Sequence, residues 1–336
     1  MTDRLDLVAK TVIETLKIDR GSTLSVMLTD ADGQILDVIK FAAESAGASE
    51  VYLHSSNFSS PVNYYVDKEF DVKKALRIFG GGLSWGMEYE YSTDFHPEIV
   101  SGIGMINGNF CYRRNWATLV YPGKLKVEYC KKSNEELTEM MFNAILIDAQ
   151  SMELKQRPLK NRLRRGKVVH IFGDDVDLKF SIENKKAISC FGKYNIPDGE
   201  VFVAPVEGTA EGWVHFDSLD WGLLQDVTLY FKGGKVVKFK AKNKEMTKWL
   251  SKKLNIDKGA GSISEFGMGT NDEIKFTVGD PLFDEKKYGT FHIALGGGYD
   301  SKIQSSRHWD LVKDNNTNYS IVVDDSKILE NGKILI

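Results

Sequence analysis

Apolar residues recur at helical spacing through Leu5, Leu7, Val8, Val12, Ile13 and Leu16, and Gly21 follows as a stop. Thr23 to Thr29 then reads as a buried strand. Ile35 to Ala48 predicts a second amphipathic helix with Gly47 near its end, and Val51, Tyr52 and Leu53 open another strand. This β-α-β rhythm predicts a largely parallel sheet. A third helix is predicted from Ser133, where Ser133 and Glu136 match a capping box. It runs through Leu137, Met140, Met141 and Ile145, with a broken continuation beyond Pro158.

The rhythm changes from Gly166. Val168 to Phe172 and Leu178 to Ile182 read as strands, and two hairpin turns are signalled, at Gly233-Gly234 and at Asn331-Gly332. The glycine triplets Gly80–Gly82 and Gly296–Gly298 read as turns. The pattern divides the chain near residue 165, into an N-terminal αβ domain over 1–165 and a second domain over 166–336.

Composition narrows the possibilities. The 336 residues are 42% apolar and 27% charged, as in an ordinary globular protein. A net charge of -3 gives no case for binding nucleic acid or an anionic membrane. The basic run Lys160, Arg162, Arg164, Arg165 and Lys167 reads as the solvated end of a helix. The opening Met-Thr-Asp-Arg-Leu-Asp lacks the apolar region of a signal peptide, and no stretch has the length of a membrane span. Cys111, Cys130 and Cys190 form no CxxC pair and read as buried thiols of a reducing cytoplasm.

Nucleotide-binding and hydrolase signatures are missing: there is no P-loop, HExxH or GxSxG, and Gly102 with Gly104 lacks the third glycine of a dinucleotide fingerprint. The aromatic patches Trp85–Tyr91 and Tyr112–Trp116 read most simply as core. Chemistry gathers in the last third, where Glu200, Glu265, Glu285, His292, His308 and Asp310 each sit in a short stretch dense in glycine or aromatic residues. Singly each has an ordinary reading: an exposed Glu, a satisfied core His, a chance His-x-Asp. Together, carboxylates with two imidazoles suit divalent cations, and two cations better than one.

Four strings carry a resemblance: NIPDGEVFVAP from Asn195, SEFGMGTN from Ser264, FHIALGGGY from Phe291 and SSRHWDLV from Ser305. Over residues 135–336 they resemble the aminopeptidase T / aminopeptidase S family, the thermophilic metallopeptidases. The resemblance implies an αβ N-terminal domain, a mixed-sheet C-terminal metal-binding domain and a cleft between them, thus α/β plus α+β in class. It implies a homodimer and an aminopeptidase, with two Zn, Co or Mn ions and a bridging hydroxide attacking a peptide with a free N-terminus. By position, Glu200 matches the first ligand, Glu265 the Glu shared by both metals, His292 the ligand His, and His308 and Asp310 the final pair. Glu285 is the remaining ligand candidate, with Asp284 as fallback, although it lies about two residues farther from His292 than in the best-known members. Glu200 is assigned the proton transfer, with Glu265 second, and Tyr299 a hydrogen bond to the oxyanion. Trp85, Tyr112 and Trp213 are candidates to line the pocket. The rival readings are a mononuclear non-haem iron ring-cleaving dioxygenase of the same fold, built on the two His and the Asp, and a metal-binding relative without turnover.

Overall fold

The computed structural model describes residues 2–29, 33–56, 74–79, 103–106, 109–112, 116–192 and 195–336. The chain forms two compact units, Met1–Ile106 with Cys111–Asp148 and Gly192–Asp198, and Asn107–Phe110 with Ala149–Phe191 and Gly199–Ile336. Trp85, the glycines Gly80–Gly82, Gly102 and most of both aromatic patches lie outside the described residues.

In the first unit, helices α1 (Thr2–Leu16) and α2 (Gln34–Ser45) alternate with strands β1 (Thr23–Thr29) and β2 (Glu50–Ser56). With β3 (Lys74–Phe79), β6 (Trp116–Val120) and the two-residue β10 (Asn195–Ile196) they make a sheet in the order β10-β6-β3-β1-β2. Every pairing in it is parallel, as the rhythm predicts. Short strands β4 (Ile103–Ile106) and β5 (Asn109–Tyr112) precede β6. Val8, Val12 and Leu16 of α1 share one core with Leu24 and Val26 of β1 and Ile35, Ile39 and Ala43 of α2. Spacings of four on the helices and two on the strand place these residues on single faces. Helix α3 (Lys124–Cys130) follows, then α4 (Asn134–Ile145), whose start is closed by the expected capping box. The Ser133 hydroxyl accepts from the Glu136 amide at 3.1 Å, and the Ser133 amide donates to the Glu136 carboxylate at 3.0 Å.

The break in the helical run falls between Ile145 and Ala149, not at Pro158. Helix α5 (Ala149–Arg165) continues through Pro158 and belongs to the second unit. Its packing explains why: Leu159 and Leu163 enter that unit's core, and Gln156 Nε2 donates to the Cys190 carbonyl at 2.7 Å and to Thr270 Oγ1 at 2.9 Å.

Two sheets fill the second unit. One runs β14 (Lys235–Lys240), β13 (Leu224–Lys232), β12 (Glu211–Leu219), β8 (Val176–Ser181), β7 (Val168–Gly173), β18 (Tyr319–Val323), β19 (Ser326–Glu330), β20 (Lys333–Ile334). The other runs β17 (His308–Lys313), β16 (Phe291–Gly296), β15 (Ile263–Gly269), β11 (Glu200–Val203), β9 (Ile188–Cys190). Their strands pair antiparallel throughout, so two antiparallel sheets stand where a mixed sheet was expected. In the larger sheet short turns join β7 to β8, β12 to β13, β13 to β14, β18 to β19 and β19 to β20, connections too short for a parallel crossover. Both expected hairpin turns form, with positive φ at Gly233 and Gly234 and at Asn331 and Gly332, the backbone of a type I′ turn. The sheets share one core, in which Phe180 of β8 meets Phe266 of β15 with ring centroids 5.4 Å apart. Among the described residues, no helix is long and apolar enough to cross a membrane.

Behind β17 lies a buried charge. Lys253 of α6 (Lys244–Leu254) pairs with Asp220 and stands over the rings of Trp249 at 4.6 Å and Trp309 at 3.9 Å. Asp220 also accepts from the Trp309 indole at 3.0 Å. Asp220→Ala would leave the ammonium buried without its counter-ion, a loss of about 3–5 kcal/mol. Urea unfolding measures it, and a loss under 1 kcal/mol would show that the pair contributes little.

Candidate metal centre

Four strands of the five-stranded sheet set the site by register. Glu265 on β15 faces Ala294 on β16, which faces Asp310 on β17. One step along, His292 faces Gly267, and one step the other way Gly296 faces His308. Glu200 on β11 faces Gly269. Residues two apart share a face, so these acids and imidazoles line one side while Val201, Phe266, Met268, Ile293, Leu295, Trp309 and Leu311 enter the core on the other. Across from each of these ligands stands glycine or alanine. The glycines are spatial requirements: a Cβ on Gly267 would lie 2.2 Å from the His292 ring.

Glu285 and Lys286 arrive from a loop. The four-residue helix α7 (Pro281–Asp284) is capped by Asp280, which accepts from the Leu282 amide. Asp284 accepts from the Val278 amide at 2.7 Å and the Gly279 amide at 2.8 Å. Both its oxygens thus hold backbone, and burial raises its pKa well above the usual range. Asp284 is a loop clamp, and of the two acids only Glu285 joins a group that could hold an ion.

The donors converge. Glu200 Oε2 stands 3.2 Å from His292 Nε2, which is 3.4 Å from Glu265 Oε1, and His308 Nε2 stands 3.2 Å from Asp310 Oδ1. Ligands on one cation at bonds of about 2.05 Å and tetrahedral angles stand about 3.3 Å apart. Glu200, Glu285 and His292 form one group close enough to hold an ion, and Glu265, His292 and Asp310 a second. Among the described residues, Glu200 Oε2, Glu265 Oε2 and Asp310 Oδ1 are buried acceptors without an aligned hydrogen bond. Buried carboxylate oxygens left this way are costly unless a cation takes them, so the residues fit a divalent ion. His308 Nδ1 donates to the Gly297 carbonyl at 2.6 Å. A carbonyl only accepts, so Nδ1 keeps its proton, and Nε2, which faces Asp310, is the nitrogen a metal would take once its proton leaves.

Lys286 is the residue the sequence concealed. Its side chain is fully buried, and Nζ donates to Glu200 Oε1 at 2.6 Å and Glu285 Oε1 at 2.5 Å. Lys287 turns the other way, to Asp314. Burial pushes Glu200 up, but Lys286 and His292 outweigh it and hold the carboxyl at about 2. Glu285 is pushed up to about 8 by burial, which Lys286 does not overcome against Asp310 and Glu200. Burial raises Glu265 as well. For Asp310 burial loses to His308, leaving it at about 2, while Asp310 lifts His308 to about 10 against burial. His292 is raised too, because Glu200 and Glu265 prevail over burial. Tyr299 stacks on Phe202 at 5.3 Å and meets the His308 ring edge-on at 5.8 Å. Burial raises its pKa, so it keeps its proton as a donor.

The remaining expectations fare unevenly. Trp213 is half-buried on β12, in the other sheet. The side chain of Tyr112 lies outside the described residues. Cys130 and Cys190 are free but half-buried, not the buried thiols expected.

Fold and donor set together define a metal-binding chain of the metallopeptidase class. The chain belongs to the thermophilic metalloprotease (M29) family, whose model matches residues 110–333. It is similar in structure to wild-type AmpT from Thermus thermophilus, with TM-score 0.72, 18% identity and 100% of each chain covered. It is also similar to 2,5-dihydroxypyridine dioxygenase from Pseudomonas putida KT2440, with TM-score 0.61, 14% identity, and 98% of this chain and 96% of that one covered. At these identities both likenesses show the fold. No curated protein sequence matches the chain.

Two outcomes follow from the geometry. Gly267→Ala pushes the His292 ring aside and weakens zinc binding on the order of 10–100-fold. A competition titration against a chelator reads this, and unchanged affinity would refute the spacing argument. The neighbouring carboxylates favour the imidazolium form of both rings in the metal-free centre, and metals take only the neutral ring. Zinc binding therefore releases protons and weakens as pH falls. Calorimetry at pH 7 in two buffers of different ionisation enthalpy counts those protons, and a count of zero contradicts the assignment.

Proposed function

We propose that this metallopeptidase-family chain is an aminopeptidase that removes the N-terminal residue of a peptide. The observation that carries the reading is a pair of overlapping groups, Glu200 with Glu285 and His292, and Glu265 with His292 and Asp310, with His308 Nε2 3.2 Å from Asp310, all within the residues that match the family. The donors for the divalent ion are Glu265, His292, His308 and Asp310, with Glu200 and Glu285 at the other end, and oxygen with imidazole suits zinc, cobalt or manganese. A bound ion would polarise the scissile carbonyl and bring a water's pKa near neutrality.

The side chains supply the rest. Glu200 is held ionised, the state that accepts a proton, and it carries that proton from water to the leaving amine. Tyr299, protonated and fixed between Phe202 and His308, donates to the oxyanion. Buried carboxylates provide the negative charge that receives the substrate's free ammonium. Six donors have the capacity for two ions and a hydroxide between them, and the number taken turns on Lys286. A homodimer and a reducing cytoplasm belong to the same reading, the latter supported by the free thiols of Cys130 and Cys190.

A second reading has one observation in its favour: His292, His308 and Asp310 alone make the two-His-one-carboxylate set of a ferrous oxygenase. Against it, that set leaves the buried Glu200 and Glu265 without a role. Chelation should abolish release of N-terminal amino acids, and zinc, cobalt or manganese should restore it. Glu200→Gln should lower turnover by roughly 10²–10⁴-fold with the fold kept. Release that survives complete metal removal would exclude a metallopeptidase. Ferrous-dependent oxygen uptake on a dihydroxypyridine would establish the rival.

A further inference from the structure

Resting on the metallopeptidase reading, we propose that the ammonium of Lys286 occupies one of the two cation positions, so that the centre takes a single divalent ion. Six donors were counted from the sequence. Lys286 Nζ engages two of them, donating to Glu200 Oε1 at 2.6 Å and Glu285 Oε1 at 2.5 Å from a fully buried side chain. Those carboxylates belong to the metal-capable group that they form with His292. The positive charge a second ion would bring to them is already there, covalently attached to the chain.

The four donors that these bonds leave over are enough for one ion. Glu265, His292 and Asp310 make up one group, and His308 Nε2 lies 3.2 Å from Asp310 Oδ1. Three of these would hold an ion with a position open to water or substrate, and the fourth would make it five-coordinate. A second dication between Glu200 and His292 would have to sit beside the ammonium in a buried site, where like charges repel strongly, and the carboxylates that would offset it are already paired. An ammonium has three donors and no open coordination position, so it fixes Glu200 but cannot bind water or a carbonyl as a metal does. Lys286 is thus a positioning residue for Glu200, and the substrate meets one metal.

Metal counting tests this without recourse to turnover. The protein is saturated with zinc, freed of excess by gel filtration, and analysed for zinc per chain. One zinc per chain is expected, rising to two in Lys286→Met. Two in the unaltered protein would overturn the proposal while leaving the metallopeptidase reading intact. None would overturn that reading itself. One in both proteins would show that something other than Lys286 limits the count, which also overturns the assignment. If Lys286→Met does not fold, anomalous scattering from zinc-loaded crystals of the unaltered protein decides. A single peak bounded by Glu265, His292, His308 and Asp310 supports the proposal, and a second peak at Glu200 overturns it.

Discussion

Strand register is the constraint on which the centre depends. Side chains alternate with a period of two, so a slip of one residue between β15 and β16 would bring Phe266 and Ile293 to the site and drive Glu265 and His292 into the core. The apolar face resists that slip, since Phe266, Met268, Ile293, Leu295 and Leu311 are all fully buried. The same pairing that excludes water behind the sheet therefore aligns Glu265, Ala294 and Asp310 in front of it. A register shift between Ile263 and Glu265 adds local twist beside the site, a place where bulges commonly re-aim a side chain.

Register alone would produce an unstable arrangement, because four acids are gathered in a buried space. What makes it tolerable is a close balance of charge. His308 and Asp310 hold each other ionised, and His292 lies between Glu200 and Glu265. Lys286 bridges Glu200 and Glu285. A small residue completes the design: with a side chain at Gly267 there would be no volume for the His292 ring. Stability and reactivity here have the same origin, since removing any one charge takes a partner from its buried neighbours.

Much of this was legible in the chain. Helices from residue 2 and residue 134, the parallel first sheet and both hairpins follow from period, caps and turn residues. The ligand order was legible because Glu265, His292, His308 and Asp310 sit in strings whose glycines and apolar residues alternate with them. Other features were not. Lys286 carries no sequence signal, and only tertiary packing sends it to Glu200 and Glu285 and the likewise buried Lys287 to Asp314. Asp284 and Glu285 are equivalent in sequence until the Val278 and Gly279 amides claim the first. The affiliation of α5 rests on Gln156 reaching Cys190 and Thr270, contacts that no local pattern announces.

The loop that bears Glu285 is braced from both sides. Asp280 caps its short helix and Asp284 ties it back to Val278 and Gly279, while beyond the helix the Lys286 carbonyl and the Tyr288 amide bond to Asn271 and the Gly289 amide bonds to Gly269 at the end of β15. A residue presented by such a loop keeps the same metre as the strand beside it. The interval in sequence between Glu285 and His292 is thereby pinned at its middle, and a residue gained or lost there over evolutionary time would carry the carboxylate out of its place.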